Sequence, residues 1–174
     1  MRKILLQSVL CAPLTEPRPA ADDAELLALT TQLKQGIDAF FGRSLSIRHV
    51  DAGSCNACEL EIHALNNPFY DLERFGLKFV ASPRHADVLL VTGPVTRNMR
   101  EALLRTYDAT PAPKWVIAVG ACALDGGVYS SSYACVGGVS EVIPVDLYIS
   151  GCPPTPIMLI KGLLALMAKG MIKS

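Results

Sequence analysis

LSIRHVDAGSCNACELEIHAL, residues 45–65, changes character halfway along. Ile47 to Val50 is a short β-rich run, Gly53 interrupts it, and from about Asn56 to Leu65 the pattern predicts a helix. The alternation continues downstream. Leu77 to Ala81 and Val88 to Thr92 read as strands, Arg97 to Tyr107 as a helix, Trp115 to Val119 as a strand and Ile143 to Ile149 as a β-rich run. A last helix opens at Pro156, with proline in the favoured first turn. Strand and helix taking turns in this way predict an α/β fold built on a doubly wound sheet. There is no internal repeat, and the Gly/Ser-rich stretch Gly126 to Gly138 is too short to link two domains.

Upstream of residue 45 the pattern is purely helical. After a connector from Pro13 to Pro19, Asp22 and Asp23 offer N-cap oxygens, and Leu26, Leu29, Leu33, Ile37 and Phe40 recur at helical spacing until Gly42. The chain therefore divides into an N-terminal arm with an amphipathic helix, residues 1–44, and an α/β domain, residues 45–174. Charges within the arm balance, so its apolar face packs by default on its own domain, with a neighbouring subunit as the alternative.

The 174 residues carry 16 Lys plus Arg against 16 Asp plus Glu, a formal net charge of zero, which removes the electrostatic case for binding nucleic acid or a membrane surface. With 51% hydrophobic and 18% charged residues and a mean hydropathy of +0.33, the composition suits a subunit much of whose surface is covered by partners. The longest uncharged stretches are broken by Gly, Ser and Pro and fall short of the about 18 apolar residues of a membrane helix. Met1 to Leu10 imitates the start of a signal peptide, but no small-x-small pattern follows, and Leu10 is too bulky for processing before a lipidated Cys11. The expected location is cytoplasmic, where six cysteines point to metal or redox chemistry rather than disulfides.

Four of those cysteines follow strand ends. Cys55 and Cys58 come after the run ending at Val50, Cys122 after Val119 and Cys152 after Ile149. In an open parallel sheet the carboxyl ends of the strands form the ligand crevice, so the topology gathers four thiols at one edge. Each has a small or turn-forming neighbour: Gly53 before the pair, Gly120-Ala121 before Cys122, and Gly151 before with Pro153-Pro154 after Cys152. Such loops can curl around a bulky group and aim backbone N–H groups at an anionic cluster. Zinc is the rival, yet zinc modules usually present two close cysteine pairs, and here one pair stands with two distant singletons. A thioredoxin-like redox pair or unligated core cysteines are the remaining alternatives.

The segments SCNACELE (54–61), RFG (74–76), SPRHAD (82–87), VTGPVTRNM (91–99), GACALDGG (120–127) and VDLYISGCPP (145–154) resemble, in order, the iron–sulfur small subunit shared by respiratory complex I and the energy-converting nickel–iron hydrogenases. The resemblance covers about residues 45–168. It implies a flavodoxin-like fold and one 4Fe–4S cluster held by Cys55, Cys58, Cys122 and Cys152. Complex I members have tandem cysteines where this chain has Ala57-Cys58 and supplies Cys55 earlier; the C-x-x-C form, together with ASPRHADVLLVTGPVT (81–96) and YACVGG (133–138), is closer to the small subunits of formate hydrogenlyase-type hydrogenases. The implied role is electron transfer, without a catalytic residue of its own, between a ferredoxin-like subunit and the active site of a hydrogenase large subunit akin to the complex I 49 kDa subunit. The complex would include membrane-arm subunits, leaving this subunit peripheral on the cytoplasmic face. Alternatives are a complex I subunit delivering electrons to quinone, a relative whose large partner has lost the nickel site, and a zinc-stapled binding module.

Further residues have two readings each. Glu59 and Glu61 are either proton relays near the cluster, Glu61 matching the complex I glutamate, or solvated acids of a helix first turn. His63 is read as a surface or interface histidine rather than a tuning group, and Cys11 and Cys135 as spare thiols. Arg74, Arg84 and Arg97 are candidates to meet carboxylates of a large subunit or are plain surface charges. The last helix places Ile157, Ile160, Leu164 and Ala168 on one face, expected to pack on the sheet.

Overall fold

The computed structural model describes residues 23–173. Cys11, the Pro13–Pro19 connector and the capping oxygens expected of Asp22 and Asp23 lie outside what it describes. Among the described residues the chain order is α1 (Asp23–Phe41), β1 (Leu45–Asp51), α2 (Ala57–Ala64), β2 (Leu77–Phe79), β3 (Val88–Thr92), β4 (Val95–Thr96), α3 (Arg97–Ala109), β5 (Trp115–Val119), α4 (Ala121–Asp125), β6 (Cys135–Gly137), β7 (Leu147–Ile149) and α5 (Pro156–Lys173).

Five strands form one sheet in the order β2-β1-β3-β5-β7, every pair parallel. Counting only these five in chain order, the arrangement is 2-1-3-4-5, the flavodoxin-like winding, whose switch point lies between β1 and β3. Side chains alternate between the two faces, as strand geometry requires. Val88 and Leu90 of β3 and Ile117 and Val119 of β5 join one core with α1, α2 and α5. Leu89, Val91, Val116 and Ala118 join the other, which α3 and α4 close with Leu103 and Ala123. Burial on both faces explains why β3 reads as an unbroken apolar run.

Helix α1 belongs to the first of these cores. Leu33 and Ile37 are fully buried, and Lys161 Nζ of α5 pairs with Glu25 Oε1 at 3.1 Å across the two helices. The entry to β1 is held by Asp87, whose carboxylate accepts from Arg43 Nη1 at 2.9 Å, Arg43 Nη2 at 2.6 Å and the Ser46 N–H at 2.9 Å.

Several boundaries differ from the sequence reading. The strand expected to reach Ala81 stops at Phe79, because β2 is an edge strand paired only with β1 over three residues. Of the run from Ile143 to Ile149 only the last three residues are strand; Ile143 instead turns into the second core from a turn. The Gly/Ser-rich stretch contains β6, which pairs antiparallel with β4 in a small second sheet that periodicity did not announce. The buried face of α5 is Leu159, Ile160, Leu163, Leu166 and Met167, so of the expected stripe Ile157, Ile160, Leu164 and Ala168 only Ile160 is fully buried: Ile157 and Leu164 are half-buried and Ala168 is exposed. On an almost wholly apolar helix the sheet, not the spacing, selects the face.

Candidate iron–sulfur site

Cys55, Cys58, Cys122 and Cys152 line one cavity, together with Ser54, Ala57, Gly93, Ala121, Gly151 and Pro153. The cavity lies at the carboxyl ends of β1, β3, β5 and β7, where the topology places a ligand crevice.

Local hydrogen bonding fixes each loop. After β1, Asp51 Oδ1 accepts from the Gly53 and Ser54 N–H groups, both at 2.8 Å, and Ser54 Oγ accepts from the Asn56 N–H at 3.1 Å. Burial pulls the Asp51 carboxyl upward, but those two amides, together with the Ser54 hydroxyl and His49, outweigh it and hold it below the usual carboxylate range. Gly93, with φ +76°, passes so close that a Cβ there would stand 2.6 Å from the Ser54 nitrogen. The loops after β5 and β7 are tied together, the Gly120 N–H donating to Ile149 O and the Ala121 N–H to Gly151 O, both at 2.8 Å. Cys122 and Cys152 are thereby held side by side from opposite ends of a long sequence separation.

The electrostatics of the bare thiols show their mutual reach. Burial first, then the Glu59 carboxylate and the thiolates of Cys122, Cys55 and Cys152, push the Cys58 thiol up to about 12. Burial and the neighbouring Cys152 and Cys55 likewise raise Cys122, opposed by a hydrogen bond from the Val128 backbone amide. Cys58 and Cys122, whose thiols resist ionising, need a cationic centre to become thiolates.

The donor set fits an iron–sulfur cluster. A 4Fe–4S cube carries its thiolates on separate corners, so its ligands must ring a cavity, whereas zinc needs sulfurs at about 2.3 Å from one shared point. The four cysteines line one cavity from separate loops, an arrangement suited to a group that takes its thiolates on separate corners. Val128 N–H already supplies the kind of backbone donor that stabilises ligating sulfur.

The other candidates separate clearly. Cys135 lies half-buried on β6 and does not line the cavity. Glu59 is not a solvated first-turn acid: it is 6% exposed, neither carboxylate oxygen has a hydrogen-bond partner, and Oε1 stands 3.8 Å from His49 Nε2. Glu61 is half-buried and His63 exposed. Arg74, Arg84 and Arg97 are all exposed, Arg97 Nε donating to Tyr133 O at 2.7 Å. Sequence reasoning did not single out Gly93, whose only signal was a glycine directly after a buried strand, or His49, whose position on β1 behind Glu59 emerges only in three dimensions.

Comparison with known proteins agrees with this geometry. The family model described as "NADH ubiquinone oxidoreductase, 20 Kd subunit" matches residues 55–166, more than half of the chain. The chain is 45% identical over 146 residues to "Formate hydrogenlyase subunit 7" of Escherichia coli, a match spanning 84% of this chain and 56% of that protein. It is 48% identical over 130 residues to "Probable membrane-bound hydrogenase subunit mbhJ" of Pyrococcus furiosus, covering 75% of this chain and 78% of the relative. Among solved structures it resembles a chain of the membrane-bound sulfane sulfur reductase, an archaeal respiratory membrane complex, with a TM-score of 0.65 and 33% identity over 86% of this chain and 76% of that one. With the flavodoxin-like winding and the cavity lined by four cysteines already in place, these matches show that the chain belongs to the family of the 20 kDa subunit of NADH–ubiquinone oxidoreductase, a family of oxidoreductase-complex subunits.

Proposed function

We propose that the chain is an electron-transfer subunit carrying one 4Fe–4S cluster on Cys55, Cys58, Cys122 and Cys152. It would connect a ferredoxin-like subunit to the active site of a large subunit in a membrane-associated energy-converting hydrogenase of the formate hydrogenlyase type. The observation that carries this reading is the convergence of four thiols from three separate strand ends on one cavity. Bound there, the cluster supplies one-electron chemistry. The chain's own residues ligate it, line the cavity with Ala57, Ala121 and Pro153, and donate a hydrogen bond to the Cys122 sulfur from the Val128 amide.

Large apolar side chains flank the site in the open. Leu60 and Leu124, each two residues beyond a cysteine of the cavity, are 62% and 42% exposed, and Val128 and Tyr133 are 79% and 91% exposed. Apolar surface of this kind marks a face covered by another subunit, which supports a partner seated over the cluster. No helix among the described residues is long and apolar enough to cross a membrane, and a peripheral place on the cytoplasmic face of the membrane, held by the other subunits, follows from the reading.

A second reading keeps the electron transfer and changes the terminal reaction. The family description favours delivery to quinone, and the likeness to a sulfane sulfur reductase favours a large partner that reduces sulfur.

The test is co-expression with the neighbouring large subunit under anaerobic conditions, followed by iron, sulfide and zinc analysis and EPR after dithionite reduction. Four irons per chain and a reduced-cluster signal that vanishes in Cys122→Ser uphold the proposal, and nickel in the partner then selects hydrogenase. Stoichiometric zinc without a signal overturns it in favour of a structural metal module.

A further inference from the structure

His49 stands between solvent and the cysteines. On one side it lines a cavity of about 390 Å³ whose wall includes His63 and Asn66, both exposed, so that water reaches the imidazole. Two short routes lead from the same ring toward the cysteine cavity. Nε2 stands 3.8 Å from Glu59 Oε1, and Glu59 directly follows Cys58. Nε2 also stands 3.0 Å from Thr92 Oγ1, and Thr92 directly precedes Gly93, which lines the cavity of the four thiols.

The pair of His49 and Glu59 is electrostatically incomplete. The Glu59 carboxylate is buried with neither oxygen hydrogen-bonded, and a buried charge is costly unless a counter-charge comes close. Among the described residues no lysine or arginine pairs with Glu59; its one ion-pairing contact is the imidazole. Thr92 suits either state of that ring. Its hydroxyl can donate to a bare Nε2, or accept from a protonated one and turn its own hydrogen to Val50 O at 3.5 Å.

The charge on the ring is therefore decided by what surrounds it. Burial, Arg48 and His63 favour the neutral imidazole, while Glu59 of α2 and Asp51 of β1 favour the cation; Thr92 of β3 and the Phe79 and Val80 wall at the end of β2 carry no charge. An electron arriving at the cysteine cavity adds one negative charge on the side of Glu59 and tips this balance toward the cation. Linkage makes the effect mutual: whatever favours the proton on reduction makes the proton favour reduction.

We propose that His49 is a redox-linked protonation site, taking up one proton from the cavity it shares with His63 when the centre held by the cysteines is reduced. With hydrogen already on Nδ1, the proton forms a bond to Nε2. One electron enters the cluster from its donor, one proton leaves water, Glu59 remains a carboxylate, and reoxidation returns both. The inference rests on the reading that the four cysteines hold an iron–sulfur cluster.

The test is a potentiometric titration of the full chain carrying its cluster, followed by EPR and repeated between about pH 5.5 and 8.5, a range that spans the ordinary histidine value. In the parent the equilibrium constant for reduction is expected to fall severalfold per pH unit over part of that range, about tenfold being the limit for one proton per electron. In His49→Gln it should change by less than about twofold per unit, and in Glu59→Gln the dependent range should move to lower pH. The chain has only 3 histidines, so reduced-minus-oxidised infrared spectra of protein carrying 13C-labelled histidine read the imidazole directly. Bands passing from neutral to protonated on reduction, in the parent and in both His63→Gln and His85→Gln, keep the test decisive if His49→Gln does not fold. The proposal is overturned by a pH-independent potential in iron-loaded chain with a normal signal, by an undiminished dependence in His49→Gln, or by imidazole bands that reduction leaves unmoved. Zinc without an EPR signal is a different failure, which removes the cluster and this proposal with it.

Discussion

The sulfur of Cys58 rests on the backbone of Gly120: a Cβ at position 120 would stand 2.8 Å from Sγ, and the residue has φ +88°. Two independent costs therefore attend Gly120→Ala, a positive-φ backbone that essentially only glycine adopts, about 1–3 kcal/mol, and the displacement of the Cys58 sulfur proposed as a cluster ligand. Iron content per chain is expected to fall sharply in Gly120→Ala. Gly42→Ala is the control, because φ is +59° there and nothing lies within 4 Å of the added Cβ; it should cost about 1 kcal/mol of stability and leave the iron in place.

Removing the metal centre should expose an ordered series of thiol reactivities. In the cluster-free chain Cys55 and Cys152 are exposed, whereas Cys58 is half-buried with its thiol pushed up from 9.0 to about 12. At equal pH it holds far less thiolate than an ordinary cysteine. Iodoacetamide labelling at pH 8, followed by mass spectrometry, should modify Cys55 and Cys152 early and Cys58 last, and the metal-loaded chain should protect all four. Early labelling of Cys58 would contradict the arrangement.

Helix α1 is expected to unfold together with the sheet. Leu33 has no exposed surface and packs in the core that α5 closes, so Leu33→Ala should cost about 2–5 kcal/mol and lower the midpoint of a single thermal transition. Glu25→Ala removes an ion pair whose side chains are both more than half exposed, and should change stability by less than about 1 kcal/mol. A separate early transition in Leu33→Ala, with the main one unmoved, would show the helix to be an independent arm.

Stability should depend on pH through His49. Burial lowers its pKa from 6.5, against the opposing pull of Glu59 and Asp51. Below 6.5 the unfolded chain takes up a proton that folded His49 resists, so this contribution is complete above 6.5 and is lost as the pH falls toward the folded value. Chemical denaturation between pH 7.5 and 5.5, about one unit either side of the reference value, should show a smaller decline in His49→Gln than in the parent. Equal slopes would remove His49 as a source of the acid sensitivity.

The sequence by itself determined the α/β class, the strand cores of β1, β3 and β5, and the four cysteines beyond the strand ends. These are local properties: apolar runs bounded by glycine announce buried parallel strands, and each of the four cysteines follows such a run. The tertiary structure decided what depends on contacts between distant segments. The hairpin of β4 and β6 forms because Val95–Thr96 meets Cys135–Gly137, and neither segment carries a strand signal long enough to read alone. On α5, apolar nearly all round, only the sheet beneath could choose Leu159, Leu163 and Met167 over Ile157 and Leu164. Sequence left Glu59 between a relay beside the cysteines and a solvated acid because helix position gives no information on depth; α2 packs so that this carboxylate lies under the surface beside His49. The same packing encloses Arg48 Nε without a hydrogen-bond partner, next to a cavity whose lining residues from β1, α2 and the end of β2 are brought together only by the fold.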